Sequence, residues 1–514
     1  MAGAFGDARR WPEATASGAA GAVACAGGMV VLAWLVSSFD ALPVLAGLLG
    51  LAAAVVMMAK PQAATLVVAV LLYLNFPAIL TKQHGVPAAA AGAFVLLLGF
   101  PILHAVIVRR EGLRFDGTFG LMLAFLGALL LSTLGAVDAG LALNRVLQFA
   151  SEGLLLYWLV VNVVRDLETL KRVFWLLLAA GSLLSVLCLY QDLTGDYGEE
   201  FGGLAYRNYD VSLNSGDASA IQKRRTWDRA QGPVDEPNRF AQILIVLVPL
   251  SAFLYRSARS RAQRLLAGAL GGLVLTGVGL TLSRGGLVTL ALLAMAMALL
   301  GWIRGWQALA GALALVVVFS AVSPFFVNRV RSIAAAAHLL GGDETRQQEA
   351  DGAIRGRVTE MLAALHVFRD HPVLGVGPAQ FPAFYFQKYA SNADIKFRDI
   401  DVPRRAHNLY LELGAELGAL GLGVFLAIVG LLMRGLWRTR RRWVGTDPEA
   451  ADLCATLWLG LFAYLSTGMF LHLSYQLYFW LLVALASAGL HLVPPGRGQR
   501  GARHAEETAW LASR

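Results

Sequence analysis

Charge is what this sequence has least of. Asp, Glu, Lys and Arg supply 15% of its 514 residues, where soluble domains average about 25%. That shortage excludes an ordinary soluble protein. Cysteine is nearly absent as well. Cys25, Cys188 and Cys454 lie in or beside apolar stretches, without C-x-x-C spacing. This argues against a disulfide framework or a zinc site and for small buried hydrophobes. No nucleotide-binding loop is evident, so neither ATP nor a nucleotide sugar is expected as a substrate. After Arg9-Arg10 no small-residue cleavage site follows a short apolar core, so no removable signal peptide is expected.

What the chain does have is hydrophobic length. Apolar residues make up 57% and mean hydropathy is +0.60. Apolar runs recur at 20–38, 41–59, 62–80, 86–108, 117–135, 142–164 and 173–193, and then at 238–256, 265–282, 286–303 and 307–325. Three more follow at 408–433, 452–470 and 476–493. Each is long enough to cross a hydrocarbon layer of roughly 30 Å at about 1.5 Å per residue. The fold class expected is therefore an all-α polytopic membrane protein with about 12–14 transmembrane helices.

Lys and Arg in short loops orient such a chain. One set of short segments carries Arg9, Arg10, Lys60, Arg109, Arg110, Arg114, Arg165, Lys171 and Arg172. The same set continues with Arg256, Arg259, Arg261, Arg264, Arg304, Arg434, Arg438, Arg440, Arg441 and Arg442. The opposite short loops hold only Lys82 and Arg284. Both termini are thus expected in the cytoplasm. The organisation expected is a cytoplasmic segment 1–19, N-terminal helices 20–193, an outer loop 194–237 and central helices 238–325. A large outer helical insert 326–407, C-terminal helices 408–493 and a cytoplasmic tail 494–514 complete it. The net charge of +9 is then mostly an orientation signal and not a nucleic-acid footprint.

Polar groups inside the spans cluster at one depth. Arg145 and Glu152 share a helical face in the outer half of their span. Gln191, Asp192, Asn238, Arg284, His407, Glu412, Glu416, His472, Tyr475 and Gln476 all mark outer span ends. Ion-coupled transporters gather such groups near the midplane instead. The pattern points to a site where the outer leaflet meets water, although any one of these groups also suits a solvated helix end.

The larger insert is structured. Ile354, Val358, Met361, Leu362, Leu365 and Phe368 recur at helical spacing, with Arg355, Arg357 and Glu360 on the polar side. Pro372 ends that helix, and Gly375 and Gly377 permit a tight turn and close backbone approach. Phe381, Phe384, Tyr385, Phe386 and Tyr389 follow, suited to sugar faces or lipid headgroups. Residues 391–406 lack a period and read as a flexible gate. Asp235 and Glu236 are adjacent acids, weak grounds for a metal site because neighbours on an extended chain point apart.

The segment AHNLYLELGAELGALG (406–421) resembles the signature of the O-antigen ligase family and its O-antigen polymerase relatives. RAQGPVDEPN (229–238), SRGG (283–286) and RGRVTEMLAALHVFRDHPVLGVGPAQF (355–381) resemble further family segments, in order and spacing. The resemblance covers residues 229–421 and implies a GT-C-like, inverting, metal-independent glycosyltransferase needing no cofactor. It implies a donor glycan on undecaprenyl pyrophosphate at the outer face of the bacterial inner membrane. The acceptor is either a lipid A–core or a second lipid-linked glycan. Position by position, His407 falls on the family's essential histidine. Arg229, Arg284 and Arg357 fall on its phosphate-facing arginines, with Arg355 competing for the last place. Asn408, Glu412, Glu416, Gly375, Gly377, Arg145 and Glu152 are expected to support them.

General chemistry agrees with those roles. Guanidinium forks pair with phosphate bidentately, and a histidine of near-neutral pKa suits deprotonation of a sugar hydroxyl. A ligase is the first reading and a repeat-unit polymerase the alternative, with a protein O-glycosylating relative as a third form. A lipid-glycan transporter and a non-catalytic partner of an assembly complex are the rival classes.

Overall fold

The computed structural model describes residues 61–87, 92–206, 229–234, 236–307, 309–311, 313, 352–389, 402–472 and 476–493. The spans expected at 20–38, 41–59 and most of 307–325 lie outside the described residues. So do Asp235, Tyr475, Cys25 and 391–401 of the expected gate. The chain divides into Met1–Ala63 and Ala64–Arg514, and the architecture below is that of the second unit.

It is an all-α polytopic membrane protein. Among the described residues seven helices are long and apolar enough to cross a membrane. They are α4 (Gly117–Ser132, or to Gly135 with its 3-10 turn), α5 (Ala139–Val163), α6 (Leu167–Thr194), α7 (Pro237–Arg256), α8 (Arg261–Leu280), α12 (Leu409–Trp443) and α13 (Pro448–Thr467). Before them come α1 (Pro61–Tyr73), α2 (Phe76–His84) and the irregular α3 (Val95–Val108). Shorter helices are α9 (Arg284–Leu299), α10 (Gly352–Asp370), α11 (Phe381–Tyr389) and α14 (Gln476–Leu492).

Helix starts are chemically marked. Asp116, Asp138, Asp166, Ser260, Ser283 and Asp447 each accept a backbone N–H of the first turn, satisfying donors that have no intrahelical partner.

Two expected straight spans are broken. Residues 62–80 bend by 57° between α1 and α2, where Asn75 adopts φ 57° and its Nδ2 donates to the Pro233 carbonyl at 2.8 Å. Within the 86–108 run, 93–108 is a series of 3-10, α and π turns, not one regular helix. Hydropathy does not register either break, because an apolar run reports burial and not φ.

Close packing explains the rest. α6, α7 and α8 meet through small residues: Gly181 faces Leu247, Gly271 faces Ser251 and Gly277 faces Ser185, the means by which helices approach in lipid. Phe125, Phe149, Phe425, Phe479 and Trp480 form the aromatic centre, with ring centroids 4.8–6.3 Å apart. At one end of the bundle, Tyr157 and Ser487 donate to Asp116 at 2.7 and 2.6 Å, tying α4, α5 and α14 together. The other end carries His407 with the acids and arginines around it.

Candidate functional site

Two sequence segments lock together to build the floor of that polar end. The turn after α10 lies against α12: Val376 N donates to the Ala415 carbonyl and Gly377 N to the Glu416 carbonyl, at 3.0 and 2.9 Å. Ala419 N and Leu420 N return the contact to Pro372 and Val373. The helix can accept these bonds because Gly418 breaks it, at φ 64° and ψ −166°. Gly375 and Gly377, at φ 69° and 105°, are the glycines this close approach requires. Their support of the site is thus steric. A Cβ on Gly375 would sit 2.3 Å from the Glu416 carbonyl carbon, a clash no side-chain rotation relieves. Gly375→Ala is therefore expected to lower the thermal unfolding midpoint by several degrees, since the left-handed conformation alone costs roughly 1–2 kcal/mol. Gly120→Ala, in open space on α4, should leave it unchanged. A calorimetric or fluorescence melt distinguishes them.

On this floor stands His407. Its φ of 49° is left-handed, a strained value for a non-glycine residue and one that recurs at functional positions. The neighbouring Asn408 caps α12, its Oδ1 accepting Tyr410 N and Leu411 N at 3.0 Å while Nδ2 donates to the Met469 carbonyl. The chain thereby enters the helix at a fixed angle and the imidazole stands clear of it. His407 Nε2 lies 3.5 Å from a buried Glu360 carboxylate on α10. His407 and His472 rings meet edge-on at 5.4 Å. Arg239 touches His472, and Glu236 lies 3.3 Å from Arg239.

The electrostatics are one-sided. The His407 pKa is pushed down to about 3, first by burial and then by Arg357, Arg239, Arg404 and Arg405. His472 is held well below the ordinary histidine range by burial, and next by Arg239 and Arg405. At neutral pH both rings are uncharged inside a cationic surround. The expectation of a near-neutral pKa for His407 is thus corrected: the ring is a much weaker base.

The sequence-derived arginines take different places. Arg229 donates Nε to the Thr281 carbonyl at 2.8 Å and Nη2 to Asn238 Oδ1 at 2.9 Å. Asn238 also accepts from Ser283 Oγ, which caps α9. Arg229 therefore pins its loop to the turn that carries Arg284. Arg357 reaches from α10 into a crevice lined by Asn238, Ser283, Gly285, Gly286 and Phe470. That brings Arg357, the Arg284 turn and the Asn238 network together beside His407.

Arg145, Glu412 and Glu416 instead share a separate small cavity of about 20 Å³ with Arg405. Arg405 pairs with Glu412 at 2.9 Å. Arg145 donates to Gln148, which donates to Glu152, at 2.7 and 2.9 Å. This second group lies against the first turns of α12, with Glu412 and Glu416 buried, and its Arg405 also acts on His407. Among the described residues no cluster of three or more His, Cys, Asp or Glu is disposed to hold a metal ion.

The family model described as O-antigen ligase matches residues 269–426. Residues 269–426 are thus similar to the O-antigen ligase family. The match runs from α8 into α12 and contains Arg284, Arg357, Glu360, Gly375, Gly377, His407, Glu412 and Glu416. No curated protein matches the chain. Three residues around His407 escaped sequence reasoning: Arg239, Glu360 as a partner of His407, and His472 as a neighbour of it. Their sequence signals were separate: His472 by its depth at a span end and Glu360 by the polar side of the insert helix, with none for Arg239.

Proposed function

We propose that this chain transfers a glycan from a lipid pyrophosphate carrier, undecaprenyl pyrophosphate, to an acceptor sugar hydroxyl at the outer face of the cytoplasmic membrane. The observation that carries the reading is a neutral histidine, backed by a carboxylate, inside a ring of guanidinium groups. His407 is the base, Glu360 positions it, and Arg357, Arg284 and Arg239 face the pyrophosphate. Arg229 holds the loop that presents them.

In the step itself the acceptor hydroxyl gives its proton to His407 as its oxygen bonds to the anomeric carbon. The bond from that carbon to the pyrophosphate oxygen breaks, and the electron pair leaves with the lipid pyrophosphate. One displacement gives inversion. The developing phosphate charge falls among the arginines, which stabilise it without reorganising. The imidazolium is stabilised by Glu360. The donor also tunes the base: its negative charges offset the arginines that hold the His407 pKa low, so the ring becomes a stronger base when substrate is bound.

The pH profiles should record this. The acid limb of kcat/KM reports the free enzyme and that of kcat the complex. His407 works unprotonated, so activity is lost as pH falls through its pKa, and the kcat limb is expected at the higher pH. Coincident limbs would remove substrate tuning.

The reading is tested in proteoliposomes given purified undecaprenyl-linked repeat, with and without lipid A–core, in EDTA. Capture by core supports a ligase and chain lengthening without core a polymerase. Loss of all transfer in EDTA, restored by a divalent ion, would overturn the metal-independent mechanism.

A further inference from the structure

The end of the bundle away from His407 holds a polar cavity of about 160 Å³ between the start of α6 and the α7–α8 turn. A single water needs roughly 10–15 Å³, so this space admits a multi-atom group. Lys171, Arg172 and Arg259 line it against a single acid, Glu168. Trp175 and Leu254 form its apolar side. Lys171 is braced by Glu449, and Arg172 lies 3.3 Å from Glu168. The cavity therefore keeps a net positive lining after its internal pairs are counted.

Its level in the membrane is marked independently. Around the same end Arg256 lies over Trp302, Arg264 over Tyr255 and Arg440 over Trp437, at 5.3, 5.7 and 5.5 Å from the ring centres. Aromatic rings with arginines above them occupy the boundary between acyl chains and headgroups. Trp175, one turn deeper than Lys171 and Arg172 on α6, sits at that boundary too.

We infer that this cavity is a binding site for the phosphate headgroup of an anionic phospholipid. The phosphodiester lies among Lys171, Arg172 and Arg259, and the glycerol and first acyl carbons lie on Trp175 and Leu254. Basic recesses between spanning helices, open at headgroup level, recognise this chemistry. A free phosphate would use the cations and leave the apolar side unused, so the lipid is the better complement. The site joins α6, α7 and α8, and the far end of α8 carries the Thr281 carbonyl that holds Arg229.

Native mass spectrometry of the delipidated full chain tests this, with a melt on the same samples. Phosphatidylglycerol should give one saturable adduct and raise the melting midpoint. Phosphatidylcholine and inorganic phosphate at equal concentration should do neither. The exposed pair Arg172→Glu and Arg259→Glu should weaken the phosphatidylglycerol adduct by about tenfold or more. Arg438→Glu with Arg441→Glu, exposed on α12, should not. Arg259→Gln alone, a milder change, should weaken it measurably. If the first pair binds like wild type, if phosphatidylcholine binds equally, or if inorganic phosphate displaces the lipid, the site is not there.

Discussion

His407→Ala is expected to lower glycan transfer by about 10²–10⁴-fold, the usual contribution of a positioned general base, while the protein still inserts and folds. Folding should survive because the imidazole caps nothing. Asn408 carries the α12 cap and the tie to Met469, and the His407 side chain is 30% exposed. The left-handed backbone is the one complication, since alanine at φ 49° is strained. His407→Asn removes it: asparagine tolerates that conformation and offers no base. Both variants should lose transfer equally in proteoliposomes while their melting curves differ slightly. Full transfer by His407→Asn would eliminate the base. Loss in the alanine variant alone would mean that the backbone angle, not the ring, is what matters.

That His407 could be singled out at all shows which information the sequence holds. Spacing along one segment was legible. The His-Asn start of α12, the glycines at 375 and 377, and the helix ending before Pro372 are local patterns, and each has a local physical cause. Glycines 375 and 377 read as a close approach, and the approach is to the Glu416 backbone and to Ala136. Long-range meetings were not legible. Arg239 and His472 are separated by 233 positions yet touch, and nothing in either segment's period announces it. Glu360 was visible on the polar side of α10, but its approach to His407 depends on how α10 docks on α12. The bend at Asn75 was hidden for a different reason: the residues on either side of it are apolar, and only a backbone angle changes.

Arg357→Ala is expected to have the second largest effect, a loss of about 10²–10³-fold in kcat, the scale for removing one stabilising donor from a developing anion. Its diagnostic is that two consequences oppose each other. On the proposed mechanism, losing the guanidinium removes stabilisation of the leaving pyrophosphate. It also removes the foremost charge that depresses the His407 pKa, so the ring becomes more basic. With His407 as the proposed base acting unprotonated, the acid limb of kcat/KM must move to higher pH, and the variant loses proportionally more activity under mildly acidic conditions than wild type does. An arginine that only braced α10 would lower activity at every pH by one factor and leave the limb in place. Arg229→Ala supplies that comparison, since Arg229 donates to the Thr281 carbonyl and Asn238 and is not among the foremost charges acting on His407. If Arg357→Ala and Arg229→Ala show the same limb as wild type, Arg357 acts on the pyrophosphate or the fold without tuning the base. If only the Arg357→Ala limb moves, one side chain both receives the leaving charge and sets the histidine's basicity. The base then strengthens just when the donor's own charge occupies that guanidinium.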